Sequence, residues 1–210
     1  MSIPWVGVAL ITEGTSDDRF LPGILRRSVQ ERCGAGTEVP DPRPVRVASG
    51  PGARDALVRA LTRLDGSFNL VAFRRDGGCD PDRERERWFV PFQDACALEG
   101  RSEPLVPVIP VQETEAWALA DGNALREVLG VDWSEERLGL PRRAKDVEGL
   151  PRAKETLKTI TRRVTPWDVS YLTRLGDCVS LDRLRELPAF NRWEDDLAEA
   201  LRMLPGFTNR

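Results

Sequence analysis

The chain has 210 residues, 40% hydrophobic and 31% charged, enough apolar mass to bury the core of one large folded unit or a unit with an appendage. It contains no histidine, which excludes a Ser-His-Asp triad, a Cys-His dyad and a histidine zinc site and leaves carboxylates, lysine, arginine, hydroxyls, thiols or a metal to carry any chemistry. Its formal net charge of −3 excludes a polycation overall, and its four cysteines, without a C-x-x-C pair, fit a reducing cytoplasm; with no signal pattern or membrane-length apolar run, neither secretion nor membrane insertion is expected.

Val6–Thr12 is a short, uniformly apolar run, which predicts a central parallel strand covered on both faces. Glu13-Gly14 ends it. Thr15 is placed to cap the next helix, with Asp18 three residues on completing a capping box. That helix is expected from Ser16 to about Glu31, kinked or broken at Pro22-Gly23. A Gly/Pro-rich loop, Cys33–Pro44, leads to a short strand Val45–Ala48 and a helix Ala53–Leu64. Asn69–Phe73 reads as the next strand and stops at R-R-D-G-G-C-D, Arg74–Asp80. Asp82–Cys96 is helical in pattern, and its R-E-R-E-R run reads as an exposed face of alternating charge. Leu105–Val111 is a strand whose Pro104, Pro107 and Pro110 suit a sheet edge, and it runs into Q-E-T-E-A-W, where Trp117 reads as helix-to-sheet packing. Beyond Asn123 the pattern is helical: Ala124–Leu129, Arg152–Arg163, Ser170–Leu175, Leu181–Leu187 and Trp193–Leu204, with linkers Gly130–Gly149 and Val164–Val169.

Strand–helix alternation over Ile3–Asp121 predicts right-handed βαβ units: an α/β fold with a mostly parallel sheet flanked by helices. The expected organisation is an α/β core, residues 1–121, with a helical C-terminal extension, 122–210, packed on it. In such a sheet all carboxyl ends share one rim, where open α/β sheets bind ligands, so Glu13, Asp17, Asp76, Asp80, Glu113 and Glu115 would converge. Several carboxylates on one rim without histidine are the donor set of Mg²⁺ or Mn²⁺, and clustered acids repel one another unless a cation neutralises them. Asp18 and Asp80 fit equally well as plain cap or turn acids. From Arg137 to Arg163 nine Lys/Arg face three Asp/Glu, a stretch compatible with phosphate-backbone contact.

Glu13-Gly14-Thr15-Ser16-Asp17, the Arg75-Asp76 strand end, and Glu113-Thr114-Glu115-Ala116-Trp117 ahead of Leu119-Ala120-Asp121 resemble a Toprim domain. More narrowly, they resemble a stand-alone bacterial Toprim-like family related to the nuclease domain of overcoming-lysogenization-defect proteins, as do P-R-A-K-E-T-L-K at Pro151–Lys158 and F-N-R-W-E-D-D-L at Phe190–Leu197. The resemblance implies a metal-dependent phosphotransfer site. In it Glu13 binds metal and serves as general base, Asp17 and Asp76 bind a first metal, and Glu113 and Glu115 help bind a second. It also implies that Lys154 neutralises phosphate charge; on the residues alone Lys154 is a solvated helix lysine. One departure stands out. Toprim domains carry D-x-D after the second acidic strand, but here Asp76 is followed by Gly77-Gly78. Either Asp80 reaches around the turn to replace the second acid, or that carboxylate is lost.

The expectation is a small nuclease using Mg²⁺ or Mn²⁺ to hydrolyse DNA or RNA, by resemblance in phage defence. With no G-x-x-x-x-G-K-[ST] loop in the chain, any ATPase would be a separate partner protein. A non-catalytic adaptor or regulatory subunit is the alternative, and phosphotransfer on a small phosphate ester a weaker third. Tyr171, the single tyrosine, lacks the separate large domain that strand passage requires.

Overall fold

The computed structural model of the chain describes residues 5–46 and 53–207. Four strands, β1 (Val8–Thr12), β2 (Arg43–Arg46), β3 (Leu70–Arg74) and β4 (Leu105–Val108), form an entirely parallel sheet in the order β2-β1-β3-β4. β1 and β3 are therefore central and β4 is an edge strand, as its prolines predict. Of the expected second strand, Val47 and Ala48 lie outside the described residues.

Side chains alternate across the sheet as the pleat requires. Val8 and Leu10 of β1, Leu70 and Ala72 of β3, and Val106 and Val108 of β4 enter one core with α1 (Thr15–Cys33) and the C-terminal helices. Ala9, Ile11, Val71 and Phe73 enter a second core on the opposite face. There they meet Leu57, Val58 and Leu61 of α2 (Ala53–Thr62) and Phe92 and Cys96 of α4 (Val90–Leu98). Phe73 stacks on Phe92 with ring centroids 4.9 Å apart. The expected helix Asp82–Cys96 is three segments: α3 (Pro81–Glu84), a π-helical stretch Arg85–Phe89, and α4. Arg85, inside the supposedly exposed charged run, makes a bidentate pair with Asp196.

Beyond β4 the chain is helical: α5 (Glu115–Ala118), α6 (Gly122–Leu129), α7 (Glu135–Leu138), a 3₁₀ stretch Ala144–Gly149, α8 (Ala153–Arg162), α9 (Ser170–Cys178), α10 (Leu181–Leu184) and α11 (Pro188–Arg202). The linker Gly130–Gly149 thus holds two short helical pieces that its Pro/Gly content concealed. Residues from α6, α8, α9 and α11 share the core on the α1 face of the sheet. Trp117 is fully buried there, 5.0 Å from Phe190 and 6.1 Å from Trp193 between ring centroids, a packing residue as expected. The nearly buried Glu194 of α11 accepts from Arg32 of α1 at 2.8 Å and from Arg185 at 3.1 Å. No helix among the described residues is long and apolar enough to cross a membrane.

Two local expectations are corrected. Helix α1 runs through Pro22-Gly23 as a single element, two residues past Glu31, with Gly14 rather than Thr15 as its N-cap and no capping box. Asp18 instead accepts from Thr12 Oγ1 at 2.5 Å and pairs with Arg46, tying the helix start to β1 and β2. Gly23 is a close-approach residue: α9 crosses α1 here, and a Cβ on Gly23 would lie 2.7 Å from the backbone of Gly176. A Cβ on Gly176 would lie 2.2 Å from the carbonyl oxygen of Phe20. Gly176→Ala must push the two helices apart, so it should lower stability by about 1–3 kcal/mol in urea unfolding, the usual cost of overpacking.

Candidate functional site

Three strand ends deliver the site. Glu13 follows β1, Arg74 ends β3 with Arg75 and Asp76 behind it, and Glu113, Thr114 and Glu115 open α5 after β4. Asp17 joins them from the first turn of α1. At the centre is Arg74, only 4% exposed. Its Nη1 donates to Glu13 Oε2 at 2.9 Å, its Nε pairs with Asp17 Oδ1 at 3.0 Å, and its Nη2 donates to Asp76 Oδ1 at 2.5 Å. Nε and Nη2 also reach Thr114 Oγ1, at 2.9 and 2.8 Å, and that hydroxyl donates to Asp17 Oδ1 at 2.9 Å. Burial works to lower the Arg74 pKa, but Asp17, Asp76 and Glu13 outweigh it and hold the guanidinium charged.

Glu13 is gripped twice more. Arg75 Nη1 lies 2.8 Å from its Oε1, and the Asp76 backbone N–H donates to Oε2 at 3.1 Å. Arg75 itself lies over the Trp88 ring, 3.8 Å from its centroid. On the β4 side, Lys154 Nζ is 3.3 Å from Glu115 Oε1, and Glu113 Oε2 accepts the Lys154 backbone N–H at 2.9 Å, capping the first turn of α8. Glu115 is 4% exposed, and its Oε1 accepts no hydrogen bond.

Of the seven residues singled out from sequence, six converge here: Glu13, Asp17, Asp76, Glu113, Glu115 and Lys154. Asp80 does not. Its Oδ1 accepts the Arg83 N–H at 3.0 Å as the N-cap of α3, the ordinary role for an acid before Pro at a helix start. It therefore does not replace the second acid of D-x-D. The backbone explains the glycines. Gly78 has φ of +54°, a conformation that favours glycine, and a Cβ on Gly77 would lie 2.5 Å from the Pro110 carbonyl oxygen. These residues zip the two loops together: Gly77 N–H donates to Pro110 O and Gln112 N–H to Gly78 O, both at 3.0 Å. Gln112, with φ of +61°, is the one left-handed non-glycine among the described residues, and Glu113 follows it directly.

Arg74, Arg75 and Thr114 were missed from sequence. The available signal was the arginine pair between a buried strand and an acid, at a point where any inward-facing side chain must meet the rim. In charge and donor type the cluster fits a hard divalent cation: Glu13, Asp17, Asp76, Glu113 and Glu115 outnumber Arg74, Arg75 and Lys154 by two negative charges, and one buried carboxylate oxygen lacks a hydrogen bond. Among the described residues, however, no three acids or cysteines are grouped to hold an ion by themselves, because Arg74 stands between Glu13, Asp17 and Asp76.

A family model for a domain of unknown function (DUF4276) matches residues 12–198, nearly the whole chain. The chain belongs to the DUF4276 family. The match begins at the last residue of β1 and ends within α11, so the DUF4276 unit takes in every site residue and the helices behind them. Neither a curated protein nor a solved structure matches the chain.

Asp17 carries the largest electrostatic consequence. Burial, opposed by Arg74 and the Thr114 hydroxyl, raises its pKa from 3.8 to about 6. A carboxyl with a raised folded-state pKa binds its proton more tightly folded than unfolded, so its contribution is present at low pH and is lost as pH rises toward 6 and beyond. That shift corresponds to about 3 kcal/mol. Asp17→Asn abolishes the titration. Urea unfolding should therefore show the stability difference, variant minus wild type, growing by about 2 kcal/mol between pH 4 and pH 7.

Proposed function

We propose that this protein is a metal-dependent phosphodiesterase that cleaves DNA or RNA at the carboxyl rim of its sheet. What supports this is the convergence of five acids with Arg74, Arg75 and Lys154 from three strand ends and two helices, carrying two excess negative charges and a buried oxygen without a hydrogen bond. The resemblance of E-G-T-S-D and E-T-E-A-W to Toprim elements agrees with it. A bound Mg²⁺ or Mn²⁺, held by carboxylates from the set Glu13, Asp17, Asp76, Glu113 and Glu115, would supply Lewis acidity and neutralise charge developing on the phosphate.

The protein's own groups do the rest. Glu13, whose side chain is partly exposed, takes the proton of the attacking water as the water oxygen bonds to phosphorus. The ester P–O bond then breaks, and solvent protonates the leaving oxygen. Lys154, with a side chain 42% exposed, swings from Glu115 to balance the phosphoryl charge. Arg74 and Arg75 hold Glu13 in place. Toward the far end of α8, Arg137 and Arg163 lie 4.7 and 4.5 Å from the Trp133 ring centroid, and with Lys158 and Arg162 they supply cations for backbone phosphates. In this reading the protein acts in the cytoplasm, in phage defence beside a separate ATPase.

One observation favours the adaptor alternative: Arg74 already occupies the space between Glu13, Asp17 and Asp76, and position 78 offers no carboxylate. Plasmid and RNA cleavage with Mn²⁺ separates the two. Wild type should cleave only with metal, and Glu13→Gln should lose about 10²–10⁴-fold in rate. A wild type that cleaves neither substrate, yet co-purifies with a partner ATPase equally well with or without Glu13→Gln, would sink the phosphodiesterase and leave the adaptor.

A further inference from the structure

We infer that the cleft between α3 and α11, along the outer edge of β4, is a pocket for one nucleobase of the strand whose phosphate lies at the rim. This rests on the phosphodiesterase reading and names the part of the substrate held beside the reacting bond.

The cleft is a cavity of about 190 Å³. That is below the roughly 300–1,000 Å³ of drug-sized sites, so its size suits a single ring. Its walls continue the two loops that carry the rim. Pro81 closes the loop that begins at Asp76, and Ile109 and Val111 lead into Glu113. These walls meet at Gly77, where a Cβ would lie 3.0 Å from Ile109 Cγ2 and 3.1 Å from Pro81 Cγ. Gly77 directly follows Asp76, and Val111 stands two residues before Glu113, ~7 Å at full extension. A base in the cleft is therefore within one nucleotide of a phosphate at the rim.

The lining fits a neutral polar ring. Pro107, Pro188 and Trp193 supply apolar ring surfaces. The four charged residues of the lining form two ion pairs that join the α3 side to α11. Arg85 holds Asp196 through two bonds, at 2.6 and 2.9 Å, and Arg192 pairs with Asp82. Two arginines against two aspartates leave no net charge, so neither a carboxylate nor an amine is the complementary occupant. A neutral ring with a polar edge does find partners there: guanidinium donors, carboxylate acceptors and the backbone of Ile109. The carbonyls of Val108 and Pro110 accept from the β3 side, so Ile109 between them turns its own N–H and carbonyl outward. Neither enters a backbone hydrogen bond among the described residues. Trp193 of the same wall has a buried indole N–H, also without an acceptor among the described residues. A planar neutral heterocycle with donors and acceptors on one edge is a nucleobase. The Arg192–Asp82 pair, with side chains 52% and 68% exposed, opens toward such a base at little cost. Arg85 begins the π-helical stretch Arg85–Phe89, an irregularity that gathers at functional sites.

Fluorescence anisotropy of a short labelled single strand, in EDTA so that nothing is cleaved, tests this on the full chain. Removing one base at a time should weaken binding by about tenfold or more at one position and less than about threefold elsewhere. Ala189→Phe fills the cleft; it should weaken the intact strand by about tenfold or more and leave the strand lacking that base within about twofold. Arg192→Ala, at a half-exposed position, should weaken the intact strand by about fivefold and likewise spare the abasic one. If circular dichroism shows Ala189→Phe unfolded, Arg192→Ala decides. A strand bound equally well whichever base is removed, or variants that weaken intact and abasic strands alike, overturns the pocket, and cleavage with Mn²⁺ then leaves the nuclease standing. A free nucleoside bound by wild type and lost in Ala189→Phe, with no strand cleaved in Mn²⁺, keeps the pocket and removes the nuclease. Binding of neither strand nor nucleoside overturns the pocket, and the cleavage assay alone then decides the nuclease.

Discussion

A guanidinium buried among carboxylates is the constraint on which the rest of this rim depends. The acids arrive from different strand ends because a parallel sheet aligns its carboxyl termini, and without a cation between them their mutual repulsion would oppose the fold. Arg74 supplies that cation from within the sheet itself, as the last residue of a central strand. The residues around it follow from its needs: a hydroxyl at Thr114 to accept from Nε and Nη2, a second arginine to share Glu13, and an aromatic ring at Trp88 to back that arginine. Asp17 is left partly compensated, which is why burial can still lift its pKa.

Much of the fold could be read from the chain. Uniformly apolar runs at Val6–Thr12 and Asn69–Phe73 gave central strands because a strand covered on both faces has no polar side to show. Acids directly after those strands were legible as rim residues for the same topological reason. What could not be read was the direction of Arg74. An arginine between an apolar strand and R-D-G-G resembles the onset of a solvent turn, and only the register of the pleat decides whether it points into the protein. Asp80 shows the converse. Its position beside Asp76 suggested a ligand, but the Pro81 that follows had already marked it as a helix cap.

The glycines after Asp76 teach a related lesson. By comparison of residue types they look like the loss of a carboxylate. In the structure they are what lets the β3 and β4 loops lie against each other, one through a left-handed backbone and the other through the absence of a side chain. The tie runs to Gln112, whose own left-handed backbone directs the next residue, Glu113, toward the amino end of α8. Loop geometry and acid placement are therefore one arrangement.

The outer edge of β4 has a consequence for assembly. Val71, Arg75 and Gly77 donate to the carbonyls of Pro104, Val108 and Pro110, so the even-numbered residues of this segment face β3 and Pro107 faces away. Pro107 has no N–H to offer outward, so the row of donors that another strand would need is interrupted at the middle of β4. The sheet is thereby closed to growth on that side. Edge-to-edge stacking of copies along β4 is opposed by the same single residue.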